Sequence, residues 1–347
     1  AELISRHANV VALFGPEHGF FGDHADGLSI QDSKFKDIPI YSLYGSFRTP
    51  TPEMLEGVDV LIYDIQDVGV KFYTYISNLF LAMSAAKREG IQVIVLDRPN
   101  PIDATRVEGP VTHPAYASFV GVMPLPIRYG MTVGEIAKLM NEETYAGFAL
   151  NCDLSVVEMT GYQRDQWYDE TGVPWTGPSP NMQTLDTAIA YPGMCFFEGT
   201  NIAEGRGTDS PFLTVGAPYI DAEKWLDEVP EAMKKGVKID IVTFTPRYIE
   251  GVSGKPKYQD QACNGIHIAV TDRDAFKPID FAVALLCSAK KLYPEEFSTR
   301  SHLDRLWGSE DLRGMLESGE DVDAIMSYVK ANLDHFKKTR ENYLIYE

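Results

Sequence analysis

The chain has 347 residues, more than one compact core usually organises, so two domains, or one large domain with an appended lobe, is the starting expectation. With 31 Lys plus Arg against 50 Asp plus Glu, its formal charge of -19 argues against nonspecific binding to nucleic acid or an anionic membrane, and an anionic substrate would need a local basic pocket. At 44% hydrophobic and 23% charged residues the composition is globular, no apolar run is long enough to span a bilayer, and the N-terminus shows no basic-then-apolar signal segment.

The chain opens on Leu3-Ile4-Ser5-Arg6, which has a helix-like look, and then runs Val10-Val11-Ala12-Leu13-Phe14 into Gly15-Pro16. A continuous apolar run closed by Gly-Pro predicts a parallel-sheet strand buried on both faces. Parallel sheets take their ligands beyond the carboxyl ends of the strands, where Glu17 and His18 fall. Gly15, Gly19, Gly22 and Gly27 allow this loop to turn sharply and approach a ligand closely. Ile38 to Leu43 reads as a short strand, and Thr51 to Gly57 as a helical turn with Thr51 as cap, Pro52 first and Gly57 as stop. Val58 to Asp67 has an apolar middle that predicts a central strand, with Asp64, Gln66 and Asp67 at its carboxyl end. Residues 76–89 carry Ile76, Leu79, Phe80, Met83 and Ala86 at helical spacing, with Lys87 and Arg88 in the last turn and Gly90 beyond it. Ile91 to Leu96 follows as a strand whose exit loop is Asp97-Arg98-Pro99-Asn100-Pro101, completing a right-handed βαβ unit.

Thr132-Val133-Gly134-Glu135 is a capping box, which explains Glu135 better as a helix cap than as a catalyst. Leu154 to Met159 reads as a strand, and the aromatic and proline-rich stretch from Tyr162 to Pro180 as a domain-joining or cleft-lining loop. Asp221 can cap a helix through Val229. Residues 239–244 and 265–270 alternate as strands, Asp280 caps an amphipathic helix over 281–292, and helices follow near 310–317 and 322–332.

The opening loop is neither GxGxxG nor GxxxxGK[ST], and no GxSxG or HExxH motif occurs, so the dinucleotide, P-loop, nucleophile-elbow and zinc-helix classes lack their signatures. Cys152, Cys195, Cys263 and Cys287 form no CxxC pattern, which speaks against a structural zinc site and leaves their pairing open. What remains is carboxylates at strand ends and loops: Glu17, Asp23, Asp26, Asp64, Asp67, Glu198 and Glu204. Two carboxylates converging from different loops suit glycoside hydrolysis, one protonating the leaving oxygen and the other supporting the charge at the sugar carbon. Phe14, Phe20 and Phe21 could wall Glu17 and raise its pKa, while His18 could orient it. His18, Asp23, His24 and Asp26 form the alternative, a metal-dependent hydrolase. A non-catalytic sugar-binding protein is a third reading. The glycine-rich stretch 197–212 makes Arg206 a candidate for a substrate carboxylate, with Arg98 in reserve and Lys71 making a similar claim beside the ring-stacking candidates Tyr73 and Tyr75.

Phe14-Gly15-Pro16-Glu17-His18-Gly19, Asp64-Ile65-Gln66-Asp67-Val68-Gly69, Phe72-Tyr73-Thr74-Tyr75, Leu96 to Pro101, Glu198-Gly199-Thr200-Asn201, Glu204 to Thr208 and the Tyr343 to Tyr346 end together resemble the bacterial exo-β-N-acetylmuramidases, glycoside hydrolase family 171. These blocks cover nearly the whole chain. The resemblance implies an α/β fold: a Rossmann-like parallel sheet flanked by helices and holding no nucleotide, here residues 1–178, then a smaller α+β domain over 179–347 that completes the cleft. Family members begin with a strand and an Asn-containing loop ahead of this point, so the expectation is either that this first strand is missing or that this member is truncated. The resemblance implies release of N-acetylmuramic acid from the non-reducing end of peptidoglycan fragments, with Glu17 matching the family's catalytic glutamate. On this reading Asp64 or Asp67 is its partner, and His18, Gln66, Tyr73, Arg98, Asn100, Asn201, Glu204 and Arg206 bind substrate. No cofactor or metal is expected, the partners are peptidoglycan-derived saccharides, an extracytoplasmic location is implied, and oligomeric state is left open.

Overall fold

In the computed structural model, residues 8–22, 24, 27, 30–143, 149–331 and 333–347 are described. The readings made on residues 3–6, on Asp23 and on Asp26 lie outside the described residues.

β1 (Leu13–Gly15), β2 (Ser33–Phe35) and β3 (Ile38–Ser42) form a sheet in the order β1-β3-β2, with β1 parallel and β2 antiparallel to β3. β4 (Val60–Tyr63) feeds α1 (Tyr75–Glu89), which returns to β5 (Gln92–Leu96). Gly90, at φ 68°, ends α1 with its N–H on the Ala86 carbonyl, as the stop residue in the sequence requires. A hairpin of β6 (Glu108–Val111) and β7 (Pro126–Arg128) precedes α2 (Val133–Glu142) and β8 (Leu154–Val157). β4, β5 and β8 then form a parallel ladder in that order. The expected helix-flanked parallel sheet is present, divided into two ladders.

In the β4-β5-β8 ladder α1 and α2 both pack on one face, where Val93 and Val95 meet Leu79, Met83, Val133 and Ala137. Across the ladder, Val60, Ile62 and Val157 point the other way and are exposed among the described residues. Sequence period alone cannot distinguish a strand covered twice from one covered once when both faces are apolar.

The capping box forms as read: Thr132 Oγ1 accepts from Glu135 N, and the Glu135 carboxylate accepts from Thr132 N at 2.9 Å. Glu135 is fully buried, so it needs more partners than the cap. It finds them in the Arg164 guanidinium and the Ile345 N–H. The chain end is thereby docked on the parallel-sheet half, where Tyr346 also donates to Asp97 at 2.7 Å.

The second half holds α3 (Leu185–Met194), then β9 (Thr214–Ala217), α4 (Ala222–Asp227), β10 (Val237–Phe244) and β11 (Cys263–Val270), the strands forming an antiparallel sheet in the order β10-β11-β9. α5 (Pro278–Leu292), α6 (Ser301–Trp307), α7 (Asp311–Ser318), α8 (Val322–Lys330) and α9 (Asp334–Arg340) complete it. Asp280 does not cap α5: the helix starts at Pro278, with Lys277 at the cap position, so Asp280 lies inside the first turn. α3 escapes sequence reading because it is apolar all round and contains Pro192, which removes both the period and the helix-former signal. All four cysteines are free thiols.

The largest core cluster is built on α5, whose Phe281, Val283, Leu285 and Leu286 are fully buried, and on α3 lying against it. The two helices approach closely at Gly193. A Cβ there would collide with the Pro278 carbonyl and come to 3.0 Å from the Ala282 Cβ. Gly193→Ala should therefore destabilise the fold by about 1–3 kcal/mol through overpacking. A lower urea midpoint at unchanged slope is expected, and an unchanged midpoint would contradict this packing.

Candidate active site

Glu17 stands two residues beyond β1, at the carboxyl end of that strand. Gly15 makes the turn possible: a Cβ on it would come to 2.8 Å from the Phe20 backbone nitrogen. The next two residues, His18 and Gly19, take left-handed backbone at φ 72° and 79°. That conformation costs a histidine more than a glycine, and the buried His18 ring compensates by bonding the His24 carbonyl through Nδ1 at 2.9 Å. The half-buried Glu17 carboxylate accepts from Thr74 Oγ1 at 2.8 Å and from Gly27 N at 3.2 Å. Thr74 immediately precedes α1, so two loops and a helix start converge on one carboxylate.

Its aromatic surroundings differ from expectation. Phe20 and Phe21 are exposed and Phe14 packs on Tyr41, so none of the three walls the carboxylate. Tyr73 takes that place, 4.7 Å from Tyr75 and 6.0 Å from Tyr191 between ring centroids. Tyr191 continues the wall into the second half, 4.7 Å from Phe212.

Opposite lies a second carboxylate. A short 3-10 turn, Cys195–Gly199, extends α3 and presents Glu198. Arg206 Nη1 lies 2.7 Å from Glu198 Oε1, and His302 Nε2 lies 3.4 Å from Oε2. Burial pushes the Glu198 carboxyl up, but Arg206 and His302 outweigh it and hold the pKa at about 2. Arg206 also reaches Glu204 at 3.3 Å and stacks over Phe212 at 4.7 Å. Glu204 is in turn held by Lys257 at 2.8 Å, and despite its burial the two cations lower its pKa. Gly205 and Gly207, both at positive φ, let the loop fold tightly enough to bring these groups together.

Glu17, His18, Tyr73 and Thr74 from the first half and Tyr191, Glu198, Arg206 and His302 from the second line one cavity of about 350 Å³. That volume is in the range of small-ligand sites. Exposed Arg48 and Arg305 face the same cavity. Glu198, His302, Tyr191, Arg48 and Arg305 are cavity residues that sequence reasoning left out of the site. Glu198 was visible as a carboxylate beside the glycine-rich loop, while His302 comes from a short helix without any local motif.

The other sequence candidates fall elsewhere. Asp64 and Arg98 pair with each other at 2.6 Å and line a separate depression with Asp97, Tyr162 and Tyr168. Asp67 is buried beneath the cavity-forming loop, accepting from Gly69 N at 2.8 Å and from the Tyr129 hydroxyl, and burial raises its pKa to about 6. Gln66 donates to the Asp67 and Pro99 carbonyls, and Asn100 bonds Met131 and Ile102, so both amides hold backbone. Asn201 donates to the Glu296 carbonyl and accepts from Ser298 N and the Tyr219 hydroxyl. Lys71 is fully buried and donates to Thr112 Oγ1 and the Trp307 carbonyl, both at 2.8 Å, so its amine is committed to the fold. Of the metal alternative, Asp23 and Asp26 lie outside the described residues; among the described residues no group of three or more His, Cys, Asp or Glu side chains is placed to hold a metal ion.

The α/β half and the α+β half thus contribute two carboxylates, Glu17 and Glu198, and a tyrosine wall to one cavity, an arrangement that suits glycoside hydrolysis. Family models described as exo-beta-N-acetylmuramidase NamZ, N-terminal and C-terminal, match residues 1–186 and 189–346, and the chain belongs to that family. It is 43% identical over 342 residues to the peptidoglycan beta-N-acetylmuramidase NamZ of Bacillus subtilis (strain 168), spanning 97% of this chain and 80% of that protein. Two crystal structures of DUF1343 family proteins from Bacteroides fragilis NCTC 9343 are similar in fold. One superposes with a TM-score of 0.87 at 32% identity over 98% of this chain and 87% of its own, the other with 0.76 at 29% over 100% and 88%.

The lowered Glu198 pKa has a thermodynamic consequence. Its folded-state value of about 2 lies below the ordinary 4.5, so the stability it contributes is present above 4.5 and is lost as pH falls towards 2. The full contribution is roughly 3 kcal/mol. Between pH 6 and pH 3, urea unfolding of the native protein should lose more stability than that of Glu198→Gln. Parallel pH dependences would contradict the ion-pair geometry.

Proposed function

We propose that the cavity is the catalytic centre of an exo-acting glycosidase that releases N-acetylmuramic acid from the non-reducing end of peptidoglycan fragments. The family membership supports the activity and the substrate class. The observation that carries the site assignment is that Glu17 and Glu198 line the same cavity from opposite halves of the chain.

Glu17 is the proton donor to the leaving glycosidic oxygen. Thr74 suits this role because a hydroxyl can donate to an ionised carboxylate and accept from a protonated one, keeping the group oriented through both states. Glu198, held ionised by Arg206 and His302, opposes the positive charge that develops at the anomeric carbon. This role falls to Glu198 in place of Asp64, which is paired with Arg98 at a different depression, and Asp67, whose carboxylate is enclosed beneath the loop. Tyr73 and Tyr191 supply the aromatic wall against which the sugar packs. Peptidoglycan fragments of this kind are met outside the cytoplasm, and we assign the protein there.

The test is turnover of a chromogenic β-N-acetylmuramic acid glycoside and of a muropeptide disaccharide. Glu17→Gln should lower kcat by about 10²- to 10⁴-fold, the contribution typical of a positioned general acid. Asp64→Asn should stay within about twofold of the native kcat/KM. Full turnover by Glu17→Gln, or a collapse in Asp64→Asn, would overturn the assignment.

A further inference from the structure

N-acetylmuramic acid differs from N-acetylglucosamine by the lactyl ether on O3, which carries a carboxylate. A chain of formal charge -19 repels that carboxylate at long range, so recognising it needs a cation inside the cavity whose charge is not already neutralised. Three guanidiniums face the cavity: Arg48, Arg206 and Arg305.

Arg206 is the least suited of them. It is drawn to Glu198 at 2.7 Å and Glu204 at 3.3 Å, and Lys257 shares Glu204. Two cations and two carboxylates form a cluster of no net charge, and a substrate carboxylate brought to Arg206 would approach the ionised Glu198. Arg48 lies over the Phe119 ring at 4.3 Å and within 5.7 Å of the Tyr44 ring, so its guanidinium is stacked on an aromatic pair. Arg305 is exposed like Arg48, and among the described residues neither makes an ion pair; what sets Arg305 apart is that, among the described residues, no aromatic ring lies against its guanidinium. It sits on α6 three residues after His302, so the two side chains share a helix face. His302 is fixed to Glu198, and Leu306, buried beside Arg305, also lines the cavity. α6 therefore places an uncompensated guanidinium one helical turn from the group that anchors Glu198.

Resting on the function proposed above, we propose that Arg305 selects the muramic acid by binding its lactyl carboxylate. Arg206 is then a positioning residue for Glu198, and the sequence-based assignment of the carboxylate to Arg206 is replaced. The guanidinium fork suits a bidentate grip on a carboxylate, which a lysine would match only as a point charge.

The experiment compares kcat/KM for a chromogenic N-acetylmuramic acid glycoside and for its lactyl methyl ester, in the native protein and in Arg305→Gln, Arg305→Lys and Arg48→Gln. The native protein should prefer the acid. Arg305→Gln should lower kcat/KM for the acid by about 10- to 100-fold, mainly through KM, and bring the acid-to-ester ratio close to one. Arg305→Lys should keep part of the preference, and Arg48→Gln should keep the native ratio. Equal losses on acid and ester in Arg305→Gln, or a ratio that collapses in Arg48→Gln instead, would overturn the assignment. Failure of the native protein to cleave either glycoside would instead overturn the underlying function, so the two failures are told apart.

Discussion

A buried lysine helps tie the two sides of the cavity together. Lys71 is fully enclosed, and burial drives its pKa well below the ordinary lysine value, so it is tolerable only with its donors satisfied. It donates to Thr112 and to the Trp307 carbonyl at the end of α6. Immediately after Lys71 come Phe72, Tyr73 and Thr74, the last of which holds Glu17; one turn back from Trp307 on α6 is the face that carries His302 and Arg305. Gly308, at φ 101°, completes the joint, because a Cβ there would stand 2.6 Å from the Lys71 Nζ. Glu17 and the cavity-lining face of α6 are therefore linked through this joint between sequence-distant segments, which the His113 N–H bond to the Gly308 carbonyl also spans.

The same separation of duties runs through the electrostatics. The charged groups of the cavity fall into a closed set and an open set. Glu198, Glu204, Arg206 and Lys257 satisfy one another and keep Glu198 ionised against the cost of its burial. Glu17 is held by a hydroxyl and a backbone N–H, and Arg305 has no ion-pair partner among the described residues. A neutral, rigid cluster beside less committed reactive groups is what a hydrolase of a negatively charged sugar requires within an acidic protein.

Much of the local structure was legible in the sequence because its causes are local. Thr132 and Glu135 cap α2, Gly90 stops α1, and the apolar middle of 58–67 is β4, each from a few adjacent residues. The site was half legible. Glu17, His18, Tyr73 and Arg206 do meet in one cavity, since each follows a strand or lies in a glycine-rich loop. Asp64, Gln66, Asp67 and Asn100 occupy equally promising strand ends, but each is bonded to neighbouring backbone groups or to Arg98 away from the cavity. Sequence position cannot show which polar groups are consumed by the fold. Glu198, His302 and Arg305 gain their meaning from tertiary packing, with the end of α6 held to Lys71 by a contact across more than two hundred residues.

The most direct measurement is a crystal structure of Glu17→Gln soaked with an N-acetylmuramic acid-terminated disaccharide. The account predicts the terminal sugar in the cavity, its glycosidic oxygen within hydrogen-bond reach of residue 17, its anomeric carbon facing Glu198 and its lactyl carboxylate on Arg305. A sugar seated instead in the depression beside Asp64 and Arg98, with the cavity empty, would contradict it.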